Sequence, residues 1–502
     1  MPAFLRMQQV NFSYESATRP LFADLDVHFP PGWTGIVGAN GVGKSTLLKL
    51  ATGLLPPQTG AVHASGHAIY CEQRTDDMPA ELSELLLDHS GTAIRLIAQL
   101  GLQPDWPGRW HSLSHGERKR AQIAAALWHE PDLLALDEPS NHIDSAARDR
   151  LLTALRDFRG VGLLVSHDRE MLDLLCRQCL FIDPPAAVMR PGGVTEGARQ
   201  DGLEQDDTRR RDDQAKRVIQ RLSQEKQHRR EKAEQTRAQG SKSRVAPKDN
   251  DARNRIGLAR VSGKDATWDK LYSQMDGRLK QAAASRAELT VKKTYDLGLW
   301  LDPNACSQRD TILNVPEAAI PLGDGGRQLV FPALCMHPQS RVALTGPNGS
   351  GKSTLLAYLR PHFKVEPELM VYVPQEISQE EARRVMAAVR ALSRERLGRL
   401  LTIVSSLGSR PRRLLESDNP SPGEIRKILL ASGIERSPHV IIMDEPTNHM
   451  DLPSIRCLEQ ALADCPCGLL LVSHDRVFLN AVTDEEWRLD MDDKASRLTI
   501  SL

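Results

Sequence analysis

Short apolar runs, each stopped by a glycine cluster or a pair of carboxylates, recur in both halves of the chain and thin out in its middle. Thr34-Gly-Ile-Val-Gly38 and Arg341-Val-Ala-Leu-Thr345 have the length of buried strands, and each enters a glycine-rich turn and then a helical pattern. Leu133-Leu-Ala-Leu136 and Val440-Ile-Ile-Met443 end instead in Asp-Glu. No run approaches the roughly 18 to 20 apolar residues needed to cross a bilayer. Met1-Pro-Ala-Phe-Leu-Arg6 carries no apolar stretch of signal-peptide length. Strand, turn and helix in alternation predict an α/β fold.

The middle follows another pattern. Residues 205–238 have few apolar positions and predict a solvated, charged helix. Gly240 to Pro247 breaks it. Trp268, Leu271, Met275, Leu279, Ala282 and Leu289 then recur at helical spacing, so a second helix can pack on the first as a hairpin with a basic tip near Gln239–Lys264.

The apolar runs belong to a repeat. Gly38-Ala-Asn-Gly-Val-Gly-Lys-Ser-Thr46 returns as Gly346-Pro-Asn-Gly-Ser-Gly-Lys-Ser-Thr354. Leu136-Asp-Glu-Pro-Ser-Asn-His-Ile-Asp144 returns as Met443-Asp-Glu-Pro-Thr-Asn-His-Met-Asp451, and Leu164-Val-Ser-His-Asp-Arg169 as Leu471-Val-Ser-His-Asp-Arg476. The order is kept and the offset is roughly 307 residues, the mark of a duplicated domain. The expected division is a first domain at 1–195, a helical linker at 196–306 and a second domain at 307–502.

Charge sharpens that division. The 502 residues balance at zero, but Glu204 to Lys264 holds 18 Lys/Arg against 10 Asp/Glu and no Phe, Tyr or Trp. That stretch is therefore +8 and the rest of the chain −8. Eight cysteines are scattered, and neither Cys176-Arg-Gln-Cys179 nor Cys465-Pro-Cys467 has a second ligand pair at zinc spacing, which favours reduced thiols in a cytoplasmic protein.

Both glycine-rich segments match G-x-x-x-x-G-K-[ST]. Glycines let successive backbone N–H groups turn inward on an anion, and the following helix presents its positive end. The expected nucleotide contacts are Gly38, Asn40, Gly41, Gly43, Lys44, Ser45 and Thr46, and again Gly346, Asn348, Gly349, Gly351, Lys352, Ser353 and Thr354. Lys44 and Lys352 would reach the β- and γ-phosphates, and Ser45 and Ser353 would ligate Mg²⁺. Successive side chains of a strand point to opposite faces. Asp137 and Asp444 would thus hold Mg²⁺ through water, while Glu138 and Glu445 polarise the attacking water.

These residues resemble the ATP-binding cassette family. Its signature is matched by Leu113-Ser-His-Gly-Glu117 and Pro420-Ser-Pro-Gly-Glu424, its lone glutamine by Gln73 and Gln375, and its switch histidine by His167 and His474. The resemblance implies that the two glutamines also touch the metal. It implies too that each signature caps the nucleotide of the opposite cassette. Ser421 and Gly423 would complete the site of Lys44, and Ser114 and Gly116 that of Lys352. Two ATP-Mg²⁺ would then join the cassettes head-to-tail within a monomer, where linkage raises their effective concentration. Pro420 replaces the usual leucine, and His115 and Pro422 stand where the first signature glycine belongs. The family's adenine-stacking aromatic, about 24 residues before the phosphate loop, is matched by Tyr14, whereas the second half offers only Leu322.

Among such proteins the chain is most similar to the ABC-F family, twin cassettes that act on ribosomes. It shares their single chain, the Asn-His-[Ile/Met]-Asp loop and a charged helical linker. The resemblance implies ATP hydrolysis gating ribosome binding near the tRNA exit site, with the linker contacting peptidyl-tRNA or rRNA. A basic, aromatic-free segment suits phosphate contact rather than base stacking. The ATPase subunit of a sugar importer would join its halves by a short connection. A DNA-maintenance ATPase would carry zinc cysteine clusters or far longer coiled coils. Gln73 to Ser114 spans 41 residues, too few for an extra arm, and 28 residues follow His474. A translation factor and a protector against ribosome-targeting antibiotics remain the two roles. The family's resistance members often have a longer hairpin tip, which favours the former.

Overall fold

The structure, a computed structural model, describes residues 3–15, 20–141, 143–184, 186–239, 264–287, 306–323, 327–409, 421–448, 450–492 and 495–501, with 232–239 and 264–273 described by their backbone. Pro420, Leu289 and most of the expected hairpin tip lie outside these residues. The chain forms two compact units, Met1–Gly197 with Tyr295–Leu502, and Ala198–Thr294.

The larger unit contains two α/β halves. In the first, a sheet runs in the order Ala68–Cys71, Leu133–Asp137, Val161–Val165, Gly32–Gly38, Cys176–Asp183, Ala186–Pro191, parallel except for the last pair. Leu133–Asp137 and Val161–Val165 are buried throughout, which explains why they read as continuous apolar runs rather than alternating ones. The register sets Asp137 beside Val165, so the carboxylates and the glycine turn after Gly38 emerge at the same, carboxyl-terminal edge of the sheet. In open parallel sheets that edge is where ligands bind.

The second half repeats this order with Met370–Val373, Val440–Asp444, Gly468–Val472, Arg341–Thr345 and Glu485–Met491. It differs at the outside. Phe22–Phe29, Leu5–Phe12 and Thr59–Ala64 make a separate antiparallel sheet in the first half. In the second, Arg327–Phe331 pairs in parallel with Ala495–Ser501, which merges Ala318–Leu322 and itself into one eight-stranded sheet. One buried apolar cluster takes in Ile143, Leu151 and Leu155 from the first half and Met450, Leu452 and Ile455 from the second. The halves thus meet through a shared core.

The smaller unit is an antiparallel helical pair, the body of Val194–Gln239 against Lys264–Ala287. Arg286 Nε donates to Asp212 at 2.7 Å and Lys226 Nζ to Asp276 at 2.8 Å, two crossings that fix the register. Met275 is buried and Leu279 and Ala282 half-buried, as the apolar spacing predicts. The apolar seam holds the pair and the charges align it.

Candidate functional site

Two cavities open at the carboxyl edges of the two main sheets. The first, 590 Å³, is lined by Tyr14, Asn40, Gly41, Gly43, Lys44, Ser45, Thr46, Gln73, Asp137, Glu138 and His167, and from the other half by Ser421, Pro422 and Gly423. The second, 740 Å³, is lined by Leu322, Arg327, Asn348, Gly349, Gly351, Lys352, Ser353, Thr354, Gln375, Asp444, Glu445 and His474, and from the first half by His115, Ser140 and Ile143. Ser114 and Gly116 flank His115 without lining the cavity themselves. Gly38 and Gly346 stay beneath the phosphate loops, where their carbonyls accept from Lys44 Nζ and Lys352 Nζ, each at 2.8 Å.

The helices Lys44–Ala51 and Lys352–Leu359 begin at Gly43 and Gly351, both at φ 97°. The positive φ at Gly43 favours glycine there, and a Cβ would have to displace the Leu21 side chain, 2.6 Å away. The signature helices His115–Trp128 and Pro422–Ile434 start with capping boxes. Ser114 Oγ donates to Glu117 Oε2 at 2.7 Å and Ser421 Oγ to Glu424 Oε2 at 2.9 Å, and each serine accepts from the backbone N–H of its glutamate. Both serines are thereby pinned at a helix N-terminus.

Glu138 and Glu445 are the strained residues of the site, at φ 48° and 49°. A non-glycine residue held there costs about 1 to 3 kcal/mol, maintained here because Glu138 N and Glu445 N donate to Val165 O and Val472 O at 2.8 Å. Burial, opposed mainly by Lys44, pushes the Glu138 carboxyl up to about 7. Burial opposed by Lys352 pushes Glu445 up to about 8. His167 Nε2 lies 3.0 Å from Glu138 Oε1. His474 Nε2 stands off, 3.4 Å from Glu445 Oε1, 3.2 Å from Asn348 Oδ1 and 3.5 Å from Lys352 Nζ. Burial, then the charge of Lys352, lowers the His474 pKa to about 4, so its imidazole is neutral at pH 7. Glu445 Oε1 is buried without a hydrogen-bond donor among the described residues.

The metal-type carboxylates differ between the sites. Tyr70 donates to Asp137 Oδ2 at 2.9 Å, whereas Ser353 Oγ donates to Asp444 Oδ2 at 3.1 Å. Ser353 and Asp444 converge within one hydrogen bond, and with Ser45, Asp137, Gln73 and Gln375 they supply only hard oxygen donors. That donor set fits Mg²⁺. Tyr14 OH lies 2.8 Å from Thr46 Oγ1, its ring edge-on to Phe12 and half exposed to the cavity. Leu322 lines the second cavity and is joined there by Arg327.

Sequence reading missed several groups. Asp451 accepts from Asn40 N at 2.8 Å, and its charge reaches Lys44. Asp144 acts correspondingly on Lys352 and His474. Both aspartates stand at the end of the repeated Asn-His-x-Asp segments, and their spacing shows helix capping but not their reach across the boundary. Tyr70 and Tyr372 precede Gln73 and Gln375 by three residues, a repeated signal that was available. Arg169 sits inside the repeated Ser-His-Asp-Arg.

Duplicated phosphate loops, each facing the signature helix of the other half, define a paired ATP-binding cassette ATPase. The family described as ABC transporter matches residues 22–141 and 332–448. Ribosome protection protein VmlR of Bacillus subtilis is 27% identical over 95% of this chain and 85% of its own length. Energy-dependent translational throttle protein EttA of Escherichia coli is 26% identical over 90% of this chain and 86% of its own. Among solved structures, the RNase-L Inhibitor shares the fold with a TM-score of 0.63 at 20% identity, over 98% of this chain and 90% of that one. The chain carries two ABC-type ATP-binding domains and hydrolyses ATP, and over most of its length it is similar to ABC-F proteins. No helix among the described residues is long and apolar enough to cross a membrane.

Proposed function

We propose that Glu138 and Glu445 are the general bases of two ATP sites, each orienting a water against the γ-phosphate, with His167 and His474 holding the geometry. Lys44 and Lys352, now resting on their own loop carbonyls, would turn to the β- and γ-phosphates. Ser45, Asp137 and Gln73 would hold one Mg²⁺, and Ser353, Asp444 and Gln375 the other. The metal neutralises charge on the phosphate oxygens. Ser421 and Gly423 would close the Lys44 site, and Ser114 and Gly116 the Lys352 site. Lys44 and Ser421 already share one cavity, which supports the sandwich. Tyr14 would stack on adenine.

We propose further that this cycle gates attachment to the ribosome near the tRNA exit site, with the linker at 196–306 contacting peptidyl-tRNA or rRNA between cassettes at 1–195 and 307–502. The observation that carries this is the +8 segment without aromatics, set between two working cassettes in a chain whose relatives are named for ribosome protection and translation. Such a segment reads backbone charge and shape rather than base identity. The reading favours a translation factor acting in the cytoplasm as a monomer. Sedimentation with ribosomes tests it: Glu138→Gln with Glu445→Gln should pellet with ribosomes in ATP and stay free in ADP. Equal recovery in both nucleotides would refute it.

A further inference from the structure

The 307-residue repeat makes the two halves comparable position by position, and at one place their boundary is one-sided. Arg169 of the first half is buried, its side chain 7% exposed. Its guanidinium donates to Glu459 and, at 3.3 Å, to Asp475, both of the second half. Asp475 directly follows His474 and caps the helix Arg476–Val482, accepting from Phe478 N at 2.9 Å. One carboxylate therefore fixes the end of a helix, the strand-to-helix turn carrying His474, and a cation from the opposite cassette.

Among the described residues the reciprocal arrangement is absent, and the sequence explains why. Arg476 corresponds to Arg169, but Leu152 stands where the repeat would place a partner equivalent to Glu459. Arg476 is exposed and makes no ion pair among the described residues. Asp168, the counterpart of Asp475, is engaged from within its own half. Arg148 lies 3.7 Å from it and 2.8 Å from Glu170, whereas Ile455 occupies the matching position in the second half. A cavity of 70 Å³ at the boundary is lined from both sides by Arg148, His167, Asp168, His474 and Asp475. Asp168 is thus held whatever the opposite half does, while Asp475 gains its cation only when the halves meet.

We infer that Arg169 is a positioning residue for the second ATP site, acting across the cassette boundary through Asp475 on His474, and that the first site has no equivalent. When the halves meet, the cation anchors the turn that carries His474. When they part, that turn loses its anchor. The turn carrying His474 is then anchored only in the closed state, whereas the turn carrying His167 is held from within its own cassette. The inference rests on His474 serving hydrolysis at the second site.

Single-turnover phosphate release distinguishes the sites, since Glu138→Gln leaves only the second active and Glu445→Gln only the first. Arg169→Met should slow release about tenfold in the Glu138→Gln background and less than about twofold in the Glu445→Gln background, with ATP affinity unchanged in both. Arg169→Lys, which keeps the cation, should recover most of the rate. Equal slowing in both backgrounds, or none in the first, would overturn the inference. His474→Ala in the Glu138→Gln background should abolish release. Full activity there would remove the role of His474 and the inference with it, whereas loss with His474→Ala but none with Arg169→Met would remove the inference alone.

Discussion

The backbone N–H of Asn40, in the phosphate loop of the first half, donates to Asp451 Oδ2 at 2.8 Å although 411 residues separate them. Burial would raise the Asp451 carboxyl, but hydrogen bonds from Ser454 and from Asn40 hold it below its ordinary value. It is therefore an anion resting against a phosphate loop. The same side chain caps the helix Leu452–Ala463.

Those two roles separate by substitution. Asp451→Ala removes the cap and should lower unfolding free energy by about 1 kcal/mol, while Asp451→Asn, itself a good cap, should cost only a few tenths. Denaturant titration without nucleotide reads both. Equal losses for the two variants would mean that the charge against Asn40, not the cap, carries the stability.

Turnover should vanish when Glu138 and Glu445 are both replaced by Gln, by at least about a hundredfold in kcat, because a general base contributes on that scale. ATP affinity should remain within a few-fold, since neither residue is needed to hold the phosphates. Phosphate release and nucleotide titration on the same preparation decide it. Normal hydrolysis by the double variant would mean that another group activates the water.

The same carboxylates give stability a pH dependence of unusual sign. Their folded values, about 7 and about 8, lie above the ordinary 4.5, so the native state binds more protons than the unfolded state between those limits. Stability then falls as pH rises through that window. Gln substitution removes the penalty, so the double variant should match the parent near pH 5 and exceed it near pH 8. The scale is on the order of 3 kcal/mol per carboxylate. Urea unfolding of the nucleotide-free protein at the two pH values measures the difference, and a gain that is the same at both would contradict the burial argument.

The candidate nucleotide sites are legible because their chemistry is local: the strand ending at Gly38 runs straight into the turn and helix start at Lys44, and the strand ending at Asp137 runs straight into Glu138. The apolar runs before them read as strands because both faces are buried. What stayed hidden is long-range. Nothing near Asp451 announces Asn40, and nothing near Arg169 announces Glu459. The Arg169 bridge depends on which residue stands at 152 and which at 459, a comparison that only a known contact makes meaningful. Arg327 escaped notice for the same reason, since its cavity is assembled from both halves.

The linker yields the last expectation, because its charge and its fold make separable contributions. The seam at Met275, Leu279 and Ala282 lies in the described body of the helical pair, while seven Lys/Arg residues fall between Lys242 and Lys264. Replacing those seven by Ala should leave the helical pair and the intrinsic ATPase intact. Contacts to phosphates release counterions, so each lost contact should flatten the slope of log K against log salt by about 0.7 to 0.9. Ribosome binding by the Glu138→Gln, Glu445→Gln protein should accordingly weaken most at low salt and lose much of its salt dependence. Titration across a salt series is the measurement. An unchanged slope would assign the segment the role of a spacer and place ribosome attachment on the cassettes themselves.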